Sequence, residues 1–141
     1  MSTDLENAYF AGILDGEGTI ALKRSHDTLH RKHTHYYPGV MITNTHKGVC
    51  DLAKEIYGGC VYERKSWRHT GYKPCFQWLI GSRMADSFLR LVLPYLIIKK
   101  DQAELVLTFY EGIFTNGRQP TDEEIKRRDE LCERLKELNR R

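Results

Sequence analysis

The feature that most constrains this chain is a run of small residues inside its first predicted helix. Residues 3–16 read as a helix, which Thr3 can cap, with Glu6 three positions later in capping-box spacing. Ala8, Gly12 and Gly16 follow one another at intervals of four, so they share one helix face. Each interior glycine costs about 1 kcal/mol relative to alanine. We therefore expect a second helix to approach this face closely and offset that cost.

The rest of the chain alternates between strand-like and helix-like patterns. Strands are predicted at 19–24, 35–43, 60–66 and 74–80, and helices at 44–57, 83–93, 99–114 and 121–140. Asn44 or Thr45 can cap the second helix, and Pro38 with Gly39 indicates an edge strand or a bulge. Four strands in two hairpins separated by a helix predict an α+β fold with helices on one sheet face. The length of 141 residues predicts a single domain, 1–141.

The other face of the predicted sheet is left to water or to a ligand. Strand alternation places on it a set of mostly polar side chains: Lys23, Ser25, His35, Tyr37, Tyr62, Arg64 and Ser66. On the fourth strand we expect Cys75 and Gln77 to face outward, and Phe76 and Trp78 to face the core.

Positive charge is concentrated in the part of the chain that forms this sheet. Residues 19–73 hold ten Lys or Arg and four Asp or Glu, which gives 10 − 4 = +6, and they contain all six histidines. The last 21 residues hold seven acids and seven bases and are neutral. Such a block suits a surface that binds a polyanion, although composition alone equally allows a solvated face without a partner. The histidines between 26 and 35 adjoin Arg31 and Lys32, which disfavours a metal cluster there.

Several classes of protein are disfavoured. The chain has no run of about 18 apolar residues, so no membrane span is predicted. Its acidic N-terminus does not resemble a secretory signal. We therefore expect an intracellular protein, in the cytoplasm or an organelle, with no membrane partner. The four cysteines form no CxxC pair, which disfavours a zinc knuckle or a redox motif. We expect them to be small buried apolar residues.

The segment most informative about chemistry is Phe10-Ala11-Gly12-Ile13-Leu14-Asp15-Gly16-Glu17-Gly18. Asp15 and Glu17 lie two residues apart where the helix runs out into a strand, and the flanking glycines let the backbone approach another chain or a phosphate. A carboxylate in such a place suits a hard cation such as Mg²⁺, which takes few protein oxygens and keeps water and phosphate ligands.

This segment resembles the motif of the LAGLIDADG homing endonucleases, with Phe10 for the first Leu and Glu17 for the last Asp. Residues 93–105 are similar to the proline-started helix that carries the active-site lysine of that family. The resemblance covers about residues 5–113, and the helix at about 121–140 is less distinctive. It implies an αββαββα fold whose four-stranded antiparallel sheet, backed by helices, binds double-stranded DNA. It also implies a site-specific endonuclease that cuts a long, nearly palindromic site.

The resemblance implies roles for particular residues. Glu17, with the main-chain carbonyl of Gly16, would hold the catalytic Mg²⁺, and Asp15 would be structural. Lys99 would lie near the scissile phosphate, Asn44 would orient the attacking water, and Lys47 would be a second basic group. The outward side chains, Gln77 included, would contact DNA. Ala8, Gly12 and Gly16 would form a homodimer interface, since the chain carries one motif and single-motif members work as pairs.

Other functions remain open at this stage. An RNA-binding intron maturase and a non-catalytic DNA-binding regulator could both use the same scaffold. Glu17 and Lys99 favour cutting, because a pure binding protein does not need them. A small-molecule metalloenzyme is disfavoured by the basic block and by the lack of a Rossmann or P-loop pattern.

Overall fold

A computed structural model describes residues 1–26, 34–64, 74–111 and 121–140. The elements occur in the predicted order: α1 Asp4–Glu17, β1 Gly18–His26, β2 Thr34–Asn44, α2 Lys47–Tyr57, β3 Cys60–Arg64, β4 Cys75–Gly81, α3 Ser82–Val92, α4 Lys100–Leu107 and α5 Asp122–Asn139. Short 3-10 turns follow α3 at Leu93–Tyr95 and α4 at Phe109–Glu111. The predicted helix 99–114 is thus too long. The helix ends at Leu107 and is followed by Thr108, whose hydroxyl donates to the carbonyl of Leu105.

The strands form one antiparallel sheet in the order β1-β2-β4-β3, which confirms the predicted α+β fold. The prediction that β2 is an edge strand or carries a bulge is wrong, because β2 pairs with β1 and β4 in continuous register. Pro38 is tolerated because it pairs with Leu22 of β1, whereas pairing with β4 begins only at Gly39. On the β4 side, no strand residue is paired with Pro38 and so none needs the N–H that proline lacks.

One sheet face is buried under the helices. Trp78, Ile20 and Ile42 lie on this inner face and are inaccessible or nearly so. Trp78 makes edge-on contact with the ring of Phe88 from α3, and its indole Nε1 donates to the carbonyl of Gly58 at 2.8 Å. The prediction that Trp78 of the fourth strand faces the core is therefore confirmed. Gln77, one residue earlier, points to the opposite face.

Helix α1 covers one end of this core. Thr3 and Glu6 form the predicted capping box at its N-terminus. Phe10 and Leu14 are completely buried on one face of the helix. The amide oxygen of the buried Asn7 accepts a hydrogen bond from the hydroxyl of Tyr57 at 2.8 Å. Packing on this face leaves the face with the small residues pointing away from the core.

The C-terminal helix α5 docks on the strand at the edge of the sheet. Asn139 donates to the carbonyl of Ile20 at 3.0 Å, and the Cys132 thiol lies 3.4 Å from the carbonyl of Leu22. Glu124 does not complete the predicted capping box, because its buried carboxylate instead pairs with Arg127 and Arg128 at 3.2 and 3.0 Å.

The cysteines divide into two groups. Cys50 and Cys132 are buried as predicted, and burial raises the pKa of each thiol. The same prediction is wrong for Cys60, which is exposed, and for Cys75, which is partly exposed. Both lie on the outer face, which the helices do not cover. Among the described helices, none is long and apolar enough to cross a membrane.

Candidate active site and outer sheet face

The candidate site forms where α1 passes into β1. Glu17 ends the helix and is exposed, and its Oε2 accepts a hydrogen bond from Nδ2 of Asn44 at 2.5 Å. The sheet explains the contact, because the antiparallel register pairs Gly18 with Ile42 and Asn44 lies two residues further along β2. Two residues 27 positions apart in the chain are thereby brought together.

The orientation of the Asn44 amide is fixed from its other side. Its Oδ1 accepts from the backbone N–H of His46 at 2.8 Å, which leaves Nδ2 to face Glu17. The cap of α2 is His46, whose Nδ1 accepts from the N–H of Val49 at 3.3 Å. The prediction that Asn44 or Thr45 caps this helix is therefore wrong, because the Asn44 side chain is engaged with Glu17 and His46.

A second connection joins the same turn to the start of α4. The two carboxylate oxygens of Asp15 accept from the backbone N–H groups of Ile97 and Lys99, each at 2.9 Å. In return, Nζ of Lys99 donates to the main-chain carbonyl of Asp15 at 2.7 Å. We call these three hydrogen bonds the Asp15 clamp. They place the Lys99 ammonium against the backbone that leads directly to Glu17.

The structure thus brings three of the four predicted catalytic residues, Glu17, Asn44 and Lys99, to one turn. The fourth, Lys47, forms an exposed ion pair with Asp51 at 3.1 Å on the first turn of α2. Within the described contacts it makes no hydrogen bond to Glu17 or Asn44.

The donors at this turn are suited to a hard cation. Oε1 of Glu17 makes no hydrogen bond to the described residues, and the carbonyls in the last turn of a helix have no partner within it. Within the described ranges no group of three or more His, Cys, Asp or Glu side chains forms a metal cage. One carboxylate and the carbonyl of Gly16 fit a cation that takes its remaining ligands from water, a phosphate or a second chain.

The small-residue face of α1 is open. A Cβ built on Gly12 or Gly16 would meet nothing within 4 Å, so no described part of this chain makes the expected close approach. Large apolar side chains lie on the same face, since Leu5 is 85% exposed and Tyr9 53%. Sequence reasoning missed both, although their spacing of seven from Gly12 and Gly16 puts them beside the glycines. Ile97 and Ile98 are also largely exposed, next to the Asp15 clamp.

The outer sheet face carries most of its predicted polar residues. Lys23 pairs with Tyr37 across β1 and β2, and its stem lies over Gly39. Tyr62 and Arg64 on β3 are exposed. The pKa of the Tyr62 hydroxyl is raised, first by its hydrogen bond with Cys60.

The remaining four predicted contact residues are Gln77, Ser25, His35 and Ser66. Gln77 faces outward as expected, but it is only 8% accessible between its neighbours. Ser25 and His35 pair with each other in the backbone register at outer-face positions. The structure describes their backbone and not their side chains. Ser66 lies outside the described residues, as do the histidines between 27 and 33.

A scan of protein-family models and a search of curated proteins found no match. Solved structures do match. The archaeal intron-encoded homing endonuclease I-Vdi141I, complexed with DNA, superposes with a TM-score of 0.75 at 20% identity, over 96% of this chain and 84% of that one. The homing endonuclease I-CvuI, in complex with its target in the presence of 2 mM Ca, gives 0.63 at 18% identity, over 94% and 96%.

The chain has the LAGLIDADG homing-endonuclease fold. The resemblance inferred from residues 10–18 is confirmed at this level. The LAGLIDADG homing endonuclease I-LtrWI, bound to target DNA, also matches, with a TM-score of 0.68 at 15% identity. The match covers 95% of this chain and 45% of I-LtrWI, so the chain corresponds to about half of that protein, whereas it corresponds to nearly all of I-CvuI.

The Asp15 clamp predicts a measurable effect on stability. Asp15→Ala removes two backbone hydrogen bonds to a carboxylate, so we expect it to lower the free energy of unfolding by about 2 kcal/mol. Asp15→Asn keeps one oxygen acceptor and should cost about half as much. Asp51→Asn, which removes an exposed ion pair, is the matched control and should change stability by less than about 0.5 kcal/mol. Urea unfolding measures all three, and an Asp15→Ala variant as stable as the control would contradict the clamp.

Proposed function

We propose that this chain is a site-specific endonuclease that hydrolyses phosphodiester bonds of double-stranded DNA, with residues 1–141 acting as one domain. The observation that carries the proposal is the convergence of Glu17, Asn44 and Lys99 on one turn at the end of a sheet with an open outer face. The LAGLIDADG fold supports it, since I-Vdi141I and I-CvuI share the fold and were solved with DNA.

Glu17 and the carbonyl of Gly16 are the groups we propose to hold a divalent cation, with Mg²⁺ as the physiological ion. The presence of Ca in the I-CvuI complex supports a divalent ion in this fold. When bound, such an ion supplies positive charge beside the scissile phosphate and activates water for attack. Glu17 is well suited, because it is exposed and has one carboxylate oxygen without a described hydrogen bond.

The neighbouring side chains would position the reactants. Asn44, whose amide is fixed between Glu17 and His46, would orient the attacking water. Lys99, held by the Asp15 clamp, would present its ammonium to the phosphate, where it stabilises negative charge. Lys47 can act as a second basic group only if its exposed ion pair with Asp51 opens, and such pairs are weak.

The outer sheet face would bind the target in the major groove. Lys and Arg contacts to phosphates would position the DNA, and contacts to base edges would specify the sequence. The residues proposed for this surface are Lys23, Ser25, His35, Tyr37, Tyr62, Arg64, Ser66 and Gln77. A two-stranded β-ribbon fits the width of the groove, and the open face of this sheet extends over several strands.

A homodimer would complete the enzyme. The open face of α1 combines two glycines, at which an added Cβ would meet nothing within 4 Å among the described residues, with the exposed Leu5 and Tyr9. Large exposed apolar patches mark contact surfaces, and small residues let two helix backbones approach closely. Ala8, Gly12 and Gly16 would therefore pack against the same residues of a second copy. A two-fold axis there provides two copies of Glu17 and accounts for a nearly palindromic site.

Replacement of Glu17 should separate cutting from binding. We expect Glu17→Gln to lower the rate of cleavage at least ~100-fold with Mg²⁺, because the variant loses the charged ligand, while DNA affinity stays within a few-fold. Glu55→Gln, on the exposed side of α2, is the matched control and should cut normally. The measurement is cleavage of a randomised duplex pool by each protein, with binding followed in parallel.

The outcomes of that assay distinguish the proposal from its alternatives. A wild-type protein that binds duplex sites but cuts none with any divalent metal would be a DNA-binding regulator. If structured RNA is added as a competitor, a protein that prefers the RNA and cuts no DNA would be a maturase. Equal cutting by wild type and Glu17→Gln would leave an endonuclease whose site is elsewhere.

The dimer makes a separate prediction. Gly12→Leu adds bulk where the chain itself leaves open space, so the fold should be retained and the helix should gain propensity. We expect sedimentation to show a dimer for the wild type and a monomer for Gly12→Leu. Lys126→Leu, which places the same apolar side chain on the exposed side of α5, is the control and should remain dimeric. A Gly12→Leu protein that still dimerises would contradict the proposed interface.

A further inference from the structure

Gln77 lies in a row of outer-face residues close to the candidate active site. The strand register places it between Thr43 of β2 and Tyr62 of β3. Thr43 directly precedes Asn44, the residue bonded to Glu17. Any base edge that meets Gln77 is therefore near the phosphate presented to Glu17, rather than at the far end of the sheet.

The amide nitrogen of Gln77 is already engaged. Nε2 lies 3.3 Å from Oγ1 of Thr43 and 3.2 Å from Sδ of Met41, so each of its two hydrogens has an acceptor. The sulfur fixes which end of the amide points toward Met41. A thioether can accept a hydrogen bond but cannot donate one, so only the nitrogen, and not the carbonyl oxygen, is satisfied beside it.

The side chain has little freedom to rearrange. Gln77 is 8% exposed, whereas its row neighbour Tyr62 is 53% exposed. With both donors committed, the hydrogen-bonding capacity that remains on the amide is the acceptor Oε1. A glutamine with a free amide can pair with adenine through donor and acceptor together, but this one has only the acceptor to offer.

We propose that Gln77 determines sequence specificity as an acceptor-only reader of a base amino group. In the major groove that group is N6 of adenine or N4 of cytosine, whereas guanine and thymine present acceptor oxygens that Oε1 repels. The inference rests on the proposed function in taking the outer face as the DNA-binding surface, the Glu17 turn as the place of the cut and the active species as a homodimer. It states that one position in each half-site, close to the cut, carries adenine or cytosine on one strand.

The test is selection of bound duplexes from a randomised pool by the wild-type protein and its variants. At the base position that contacts Gln77, we expect adenine and cytosine together to be selected at least ~5-fold more often than guanine and thymine. A preference of that size corresponds to about one hydrogen bond. Gln77→Leu, similar in size and without an acceptor, should lose that preference there and keep the others. Leu79→Met, on the same face of the same strand, is the matched control and should leave the preference unchanged.

A second variant tests the role of the sulfur. Met41→Leu preserves volume but removes the acceptor for one Nε2 hydrogen, which becomes available to adenine N7. We expect adenine to gain over cytosine at the same position, by at least ~3-fold. This variant also decides the matter if Gln77→Leu does not fold, which thermal unfolding of each protein will show.

Failure of this inference is distinguishable from failure of the proposed function, because binding selection requires no cutting. The inference would be overturned, even in an active nuclease, if the selected site showed no preference for adenine or cytosine. It would also be overturned if that preference did not change when Gln77 and Met41 are replaced. A protein that selects the predicted bases but never cleaves would uphold the inference and overturn the endonuclease.

Discussion

The Asp15 clamp is the interaction on which the rest of the site depends. A carboxylate at the end of α1 binds two backbone N–H groups that precede α4, and the Lys99 ammonium binds back to the carbonyl of Asp15. A charged acceptor with two backbone donors is among the stronger hydrogen-bonding arrangements in proteins. It fixes the direction in which α1 ends, and thus where Glu17 points. Asn44 reaches Glu17 from the sheet, so helix and sheet both position the same carboxylate.

This arrangement joins the candidate site to the exposed apolar surface. Ile97, whose N–H is held by Asp15, exposes its side chain, and the glycine face of α1 ends at Gly16, the residue before Glu17. The residues proposed to meet a second copy therefore lie on the same short segments as those proposed to meet the phosphate. Among the described residues, Asp15 is engaged in the clamp, so Glu17 is the carboxylate left at the turn for a cation, and nothing lies within 4 Å of a Cβ built on Gly12 or Gly16. Both features have a simple explanation if the active species contains two chains.

Sequence reasoning was most successful where a regular pattern has one physical cause. The alternation of β1 and β2 predicted the two sheet faces, because one face must be apolar to pack under helices. The helix pattern up to residue 16 and the strand pattern from residue 19 predicted a helix-to-strand junction at the motif carboxylates, and Glu17 lies there. The resemblance of residues 93–105 to a known helix directed attention to Lys99, which the structure brings back to Asp15 across 84 positions.

The errors involve choices that depend on distant neighbours. Asn44 has the chemistry of a helix cap, but Glu17 and the N–H of His46 compete for its amide, and His46 caps instead. Gln77 faces the predicted side, but nothing in its strand pattern indicated that its amide would bind Met41 and Thr43 of the next strand or that its side chain would be largely buried. Leu5 and Tyr9 were assigned no contact from the sequence, and only the packing of α1 shows that they face outward beside the glycines. No local pattern contains this information.

The central claim is that two copies of this chain each supply one Glu17 to one DNA strand. Its most direct test is the cutting of a supercoiled plasmid carrying the selected site by an equal mixture of wild-type and Glu17→Gln protein, after their subunits have exchanged. Mixed dimers hold one competent site, so the account predicts nicked circles that neither protein produces in quantity alone. A mixture that yields only linear and uncut plasmid, with no nicked product at any ratio, would contradict it.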